Sequence, residues 1–233
     1  MNHFRVVVLF LTVALLGGCG TVAKIPSQAQ PKNQPQVLTG SVVGDLDPSN
    51  ITWHIRDEWI YSDDYTLRVD RVDGTVGKLT RINRGWIERE GLFKIRSNTD
   101  GIVRQVIFRS PDPASLFPLK VGNKVTYKRE YLMGKIGANL VSGPDLSNLK
   151  DKQLRVHKSS WTVTGKERVS VPAGTFDCWI LEWNTLSELS GWKGSEKWWY
   201  SPEVGNYVRM EFKYGKKPAS SRVLMKYTKG EEL

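Results

Sequence analysis

Cysteine, histidine and long apolar runs are all scarce in this 233-residue chain, and each scarcity removes a class of function. Two cysteines, Cys19 and Cys178, and three histidines leave no zinc-ligand spacing, so no metal centre is expected. Two cysteines also cannot form the disulfide framework on which small exported domains rely. There is no Gly-x-Ser-x-Gly elbow and no cofactor-binding motif, so a hydrolase nucleophile of that type is excluded and no cofactor is expected. The longest apolar stretch, Val6 to Leu16, is broken only by Thr12 and falls far short of the roughly twenty residues a membrane-spanning helix needs. Helical spacing is missing from the rest of the chain.

What the N-terminus does contain is an address. Arg5 precedes the apolar run, and Leu16-Gly17-Gly18-Cys19 follows it. An aliphatic residue, two small residues and a cysteine resemble the lipobox of bacterial lipoprotein signal peptides. That resemblance implies cleavage after residue 18 and a diacylglycerol thioether on Cys19, with a further acyl chain such as palmitate on the new N-terminus. Each buried methylene of such chains contributes roughly 0.8 kcal/mol, so two or three of them hold a protein on a membrane without a helix. Gly20 stands where inner-membrane lipoproteins commonly carry aspartate, which implies the outer membrane, facing the periplasm.

Three regions follow. Residues 1–18 read as the signal peptide and 19–50 as the lipidated cysteine with a tether, in which Pro26, Pro31, Pro35 and Pro48 alternate with Gln28, Gln30, Gln34 and Gln36. Some thirty residues of this kind reach roughly 30 Å as a flexible coil. Residues 51–233 form one domain, long enough to bury a sizeable core. The net charge of +10 invites nucleic acid, anionic lipid, envelope glycan or an acidic protein. Export and the dispersal of the positive residues, as in Lys124, Lys128, Arg129, Lys193, Lys197 and Lys213, argue against nucleic acid. These residues read as the outward faces of strands, with anionic lipid or envelope glycan as the remaining attraction.

Period-two alternation dominates residues 51–233. Leu67 and Val69 lead to the turn at Asp73-Gly74, a second segment runs from Val76 to Asn83, and Phe93 and Ile95 lead to Asp100-Gly101, a strong hairpin signal, before Val103 to Phe108 returns. One helical turn is expected near Asp145 to Leu149. Pro172-Ala173-Gly174 fits a tight turn between two strands. Beyond it, Phe176, Cys178 and Ile180 share one face and Trp179, Leu181 and Trp183 the other, which predicts a strand buried on both sides. Val208, Met210, Phe212 and Tyr214 oppose Arg209, Glu211 and Lys213, and Val223, Met225 and Tyr227 form a last strand. About ten such strands predict an all-β fold with little helix, a strongly curved antiparallel sheet closed into a barrel or half-barrel.

Four motifs carry a family resemblance. Pro118-Leu119-Lys120-Val121-Gly122, Val163-Thr164-Gly165-Lys166-Glu167, Val171-Pro172-Ala173-Gly174-Thr175-Phe176 and Glu196-Lys197-Trp198-Trp199-Tyr200-Ser201-Pro202-Glu203-Val204-Gly205 occur in an order that resembles exported bacterial proteins of unknown function called TapB-like. The similarity covers about residues 118–214. It implies an all-β fold and supplies no activity and no site residues.

The candidate chemistry is aromatic. Five of nine tryptophans lie between Trp179 and Trp199, and Trp179, Trp183, Trp198, Trp199 and Tyr200 are the candidate ligand-binding residues, able to line a pocket for an acyl chain or sugar ring or simply to fill the barrel. Consecutive residues on a strand face opposite ways, so Trp198 and Trp199 cannot both point inward. Cys178 with His157 is the one pair that could form a nucleophile and base. Against it, Cys178 stands on an apolar strand face, where a free thiol behaves as a small hydrophobe. The sequence therefore favours a non-enzymatic, membrane-anchored envelope lipoprotein that binds a lipid-like or polymeric envelope component or a partner protein. The alternative is a cell-wall or lipid-modifying enzyme with Cys178 as nucleophile.

Overall fold

The computed structural model describes residues 51–135 and 155–230. The signal peptide, Cys19, the tether and the helical turn expected near Asp145 to Leu149 lie outside the described residues. Twelve strands follow in order: β1 (Glu58–Tyr61), β2 (Thr66–Asp73), β3 (Val76–Arg81), β4 (Gly85–Glu90), β5 (Phe93–Thr99), β6 (Ile102–Phe108), β7 (Lys124–Lys135), β8 (Arg155–Val171), β9 (Gly174–Ser187), β10 (Lys193–Ser201), β11 (Asn206–Tyr214) and β12 (Ser220–Thr228). Each pairs antiparallel with its neighbour in sequence, and β1 pairs with β12 to close the barrel. Closure leaves no edge strand among the described residues, which is how a sheet this wide avoids pairing with other chains.

The turns follow from their residues. Asp100 and Gly101, with φ of 53° and 75°, both adopt the left-handed conformation that a two-residue hairpin turn requires. Val171 pairs with Gly174, so Pro172 and Ala173 form the two-residue loop between β8 and β9. The tip of that long hairpin reaches β12, where the Ala173 N–H donates to the Leu224 carbonyl (3.2 Å). Strand β9 is buried on both faces at Cys178 and Trp179. Between β6 and β7, a 3-10 turn over Pro113–Leu116, capped by the Asp112 carboxylate, carries Leu116 into the core, and Leu119 follows it there.

Two features depart from the alternation read in the sequence. Strand β4 lacks the expected pattern because Arg89 occupies the inward position two residues after Ile87. In β5, Glu88 pairs with Arg96 and Arg89 with Lys94, so Ile95 is an inserted residue and Lys94, in place of Ile95, lines the interior. A bulge re-aims side chains in this way.

Part of the interior is packed solid. Trp59, Tyr61, Leu67, Val69, Leu79, Val163, Leu181 and Leu224 are almost wholly buried there. The chain ahead of β1 and β1 itself plug the same region: the Trp53 indole N–H donates to the Gly205 carbonyl (2.9 Å) and that of Trp59, on β1, to the Val204 carbonyl (2.8 Å). Gly77 leaves room for the Trp53 ring, since a Cβ there would lie 2.2 Å from it. Asp57, which the sequence presents as half of an adjacent acidic pair, is buried and ties the two ends of the barrel together. Its carboxylate accepts from the backbone N–H of His54 (2.8 Å) and of Gly230 (2.7 Å).

Candidate functional site

The rest of the interior is open. A cavity of about 280 Å³ lies inside the ring of strands, walled by aromatic residues that include Phe93, Tyr127, Trp161, Trp183, Trp198 and Tyr214. The cations Arg81, Arg84, Arg89, Lys94, Arg129 and Arg222 share this wall with a single acid, Glu196. Several arrive by ordinary alternation: Arg129 follows Tyr127 on β7, Glu196 precedes Trp198 on β10, and Arg222 precedes Leu224 on β12, whereas Lys94 arrives through the bulge and Arg84 from the turn between β3 and β4.

The guanidinium groups are held by neutral partners and ring faces. Arg129 lies 4.5 Å from the Trp183 ring centre and 4.8 Å from that of Tyr131, and it donates to Thr185 Oγ1 (3.2 Å). Arg89 lies over Trp198 (5.1 Å) and donates to Asn206 Oδ1 (3.3 Å). Such cation–ring contacts contribute roughly 0.5–2 kcal/mol each, which offsets only part of the desolvation of a buried ion. Arg222 differs: Asp63 Oδ2 lies 2.8 Å from it, and its guanidinium stacks on Tyr65 at 4.0 Å. Among the described residues, neither Arg89 nor Arg129 has a carboxylate partner, and the Nε of each makes no hydrogen bond. Glu196 is engaged elsewhere, accepting from the Trp198 indole N–H (2.8 Å) and the Tyr214 hydroxyl.

Lys94 responds to this surplus of positive charge. Burial, together with Arg129, Arg89 and Arg81, pushes its ammonium down to about 8 despite the opposing pull of Glu196. Lys94 is exposed, and it lines the cavity wall. Lys94 also borders a second hollow of about 570 Å³, lined by Arg104, Met133, Arg155, Val156, His157, Leu189 and Trp192. Leu189, on the loop between β9 and β10, is 90% exposed. Gly194 makes room for Trp192, which stacks on Tyr214 with ring centres 6.3 Å apart. The second hollow is thus a wide mouth, part apolar and part cationic, beside the cationic cavity.

Of the five aromatic residues singled out in the sequence, the structure places Trp183 and Trp198 on the cavity wall. Trp199 faces the opposite way, its indole N–H donating to Glu167 (2.8 Å) and its ring under Arg209 (4.4 Å). Trp179 is packed against Lys166 (4.0 Å), and Tyr200 is buried away from the cavity. The reading of Arg129 as an outward-facing charge is corrected, because its alternation partners Tyr127 and Tyr131 point inward with it. Arg81, Arg89, Lys94 and Arg222 were not singled out by sequence either. The signal that locates Arg89, Arg129 and Arg222 is a charge in step with the apolar residues of its own strand.

Cys178 and His157 do not meet. Cys178 pairs with Glu167 and His157 with Ser187, so nine residues of β9 separate the two positions, roughly 30 Å along a strand. The thiol is fully buried, donates weakly to the Phe176 carbonyl (3.5 Å), and is pushed up to about 12 by burial and by Asp177, Glu167 and Glu203. A protonated, enclosed thiol is a poor nucleophile.

Residues 147–224 match the DUF3108-like family. No curated protein sequence matches the chain. Among solved structures, the hypothetical lipoprotein YmcC of Escherichia coli K12 aligns with a TM-score of 0.48 at 10% identity, over 78% of this chain and 89% of its own. An exported protein with a YmcC-like fold from Bacteroides fragilis aligns at 0.37 and 15% identity, over 76% and 97%. A lipoprotein from Parabacteroides distasonis gives 0.36 and 15%, over 78% and 100%. The family match spans less than half of the chain and overlaps the four motifs named above, except the first. It agrees with them in pointing to a domain of unknown function, and the TapB-like name is no part of it.

Proposed function

We propose that the protein is a lipid-anchored lipoprotein of the cell envelope, held in the outer membrane through Cys19 and facing the periplasm, whose barrel binds a small envelope ligand in its lumen without chemically altering it. The observation that carries this reading is the 280 Å³ cavity, which lies inside a closed barrel and is walled by Trp183 and Trp198. That volume falls just below the range for drug-sized sites, roughly 300–1,000 Å³, and so suits a small ligand or part of a larger one. The mature chain with Cys19→Ser, exported behind an ordinary secretory signal and isolated gently, should carry a small-molecule mass visible by native mass spectrometry. Trp198→Ala should weaken its retention more than Trp199→Ala does. A folded chain that carries no such mass and binds no envelope lipid sinks this reading.

One observation favours a second surface. Lys124, Lys158, Lys193 and Lys213, dispersed in sequence, line one groove of about 640 Å³ with Thr126, Ser160, Asn184 and Ser195 and no acidic residue. This groove suits an acidic polymer such as an envelope glycan. Paired Lys158→Glu and Lys213→Glu changes should abolish retention on an acidic polysaccharide column, and unchanged retention would remove the groove from the account.

A further inference from the structure

The charge, shape and position of the lumen narrow its ligand to one chemical class. We propose that the cavity takes the phosphate-bearing headgroup of an anionic amphiphile, entering headgroup first, with Arg89, Lys94 and Arg129 as the clamp and the mouth as the place where the apolar part emerges. This deepens the lumen-binding reading and rests on it.

Arg89 and Arg129 are each more than nine-tenths buried, face the cavity, and lack a carboxylate among the described residues. An ion held in this way costs several kcal/mol unless a counter-charge arrives. The Nε of each guanidinium is enclosed and makes no hydrogen bond, which marks both ions as under-compensated, and the planar fork of arginine matches the oxygens of phosphate. Lys94 adds a point charge on the side shared with the mouth. Nothing else on the wall answers these donors, because Glu196 is already bonded to Trp198 and Tyr214.

Size and polarity set the direction of entry. A cavity of 280 Å³ crowded with cations suits a headgroup and offers no dry channel for a long acyl chain. Outside Lys94, the mouth of 570 Å³ presents Met133, Val156, Leu189 and Trp192, which give apolar surface to whatever is attached to that headgroup. Arg104 and Arg155 on the same rim add positive charge that draws an anion toward the opening.

The test uses the mature Cys19→Ser chain, Arg89→Met and Arg129→Met singly and together, and four probes followed by tryptophan fluorescence and calorimetry. The probes are dihexanoyl phosphatidic acid, dihexanoyl phosphatidylcholine, inorganic phosphate and a short uronic-acid oligosaccharide. Phosphatidic acid is expected to bind at least about tenfold more tightly than each of the others, with an affinity that falls as salt rises and drops at least about tenfold in the double variant. Without ligand, Arg129→Met should raise Tm by about 2–4 °C, since it removes an uncompensated buried ion, and this also shows that the variant folds. Equal binding of phosphatidylcholine, independent of Arg89 and Arg129, would overturn the headgroup assignment while leaving lumen binding intact. Equal binding of inorganic phosphate would remove the amphiphile, and preference for the oligosaccharide would replace the lipid class with a glycan. If no probe binds and native mass spectrometry finds no bound mass, the headgroup assignment and the lumen reading fall together.

Discussion

Two residues that share the β8–β9 hairpin show how placement decides chemistry. Cys178, with its thiol raised to about 12 by burial, should resist alkylation in the folded protein and react once denaturant opens the domain. Cys178→Ala should cost about 1 kcal/mol in an equilibrium unfolding curve and leave ligand retention unchanged. Fast labelling of the native protein would contradict this. His157 is lowered to about 4 by burial, then by Arg129 and Arg155, and it packs edge-on against Tyr131 (5.0 Å). An unfolded histidine takes its proton near pH 6.5, whereas the folded one refuses it until about pH 4, so stability is lost as pH falls across that window. The denaturation midpoint of the protein should therefore drop more between pH 7 and pH 4.5 than that of His157→Gln. Only one of these environments is written in the local sequence: the burial of Cys178 was legible from Phe176 and Ile180, while the shift at His157 depends on burial inside the closed barrel and then on Arg129, which lies on another strand and was read as facing solvent.

At the scale of the element, the alternation of apolar and polar residues and the glycine turns exposed most of the strands, from Leu67 and Val69 in β2 to the Met210 row in β11. Strand β4 and the true facing of β5 stayed hidden for one reason. Where the lumen is cationic, an inward position is filled by Arg89 or Lys94, and a pattern that equates charge with solvent reads the strand as loop or assigns it to the wrong face. The seam between β1 and β12 was equally invisible, because it pairs the first strand with the last, from Glu58↔Thr228 to Tyr61↔Leu224, and Asp57 reinforces it beyond the strand ends by gripping the amides of His54 and Gly230. Asp57→Ala leaves those donors without their acceptor and should cost about 1.5–3 kcal/mol, the range for hydrogen bonds to a charged group. Hydrogen exchange should speed up first in β1 and β12, and protection lost evenly around the barrel would contradict the assignment of Asp57 to the seam.

For the whole molecule, the expected address and the observed barrel make separate demands. If Cys19 carries the lipid, the protein should fractionate with membranes and Cys19→Ala should block the acylation, while the mature Cys19→Ser chain exported behind an ordinary secretory signal should be recovered folded and soluble. A wild-type chain found free of acyl groups by mass spectrometry would remove the envelope anchor from the account. The barrel imposes an order of events on any such export. Each strand lies beside its predecessor, so eleven of the twelve pairings can form as the chain emerges, yet the ring shuts only when β12, the last strand, reaches β1. Until then two raw edges remain, on β1 and on the newest strand, each able to recruit a neighbouring chain. A chain cut short before Ser220 would hold those edges open for good, so β12 acts as the lock that keeps a half-built sheet from becoming an aggregate.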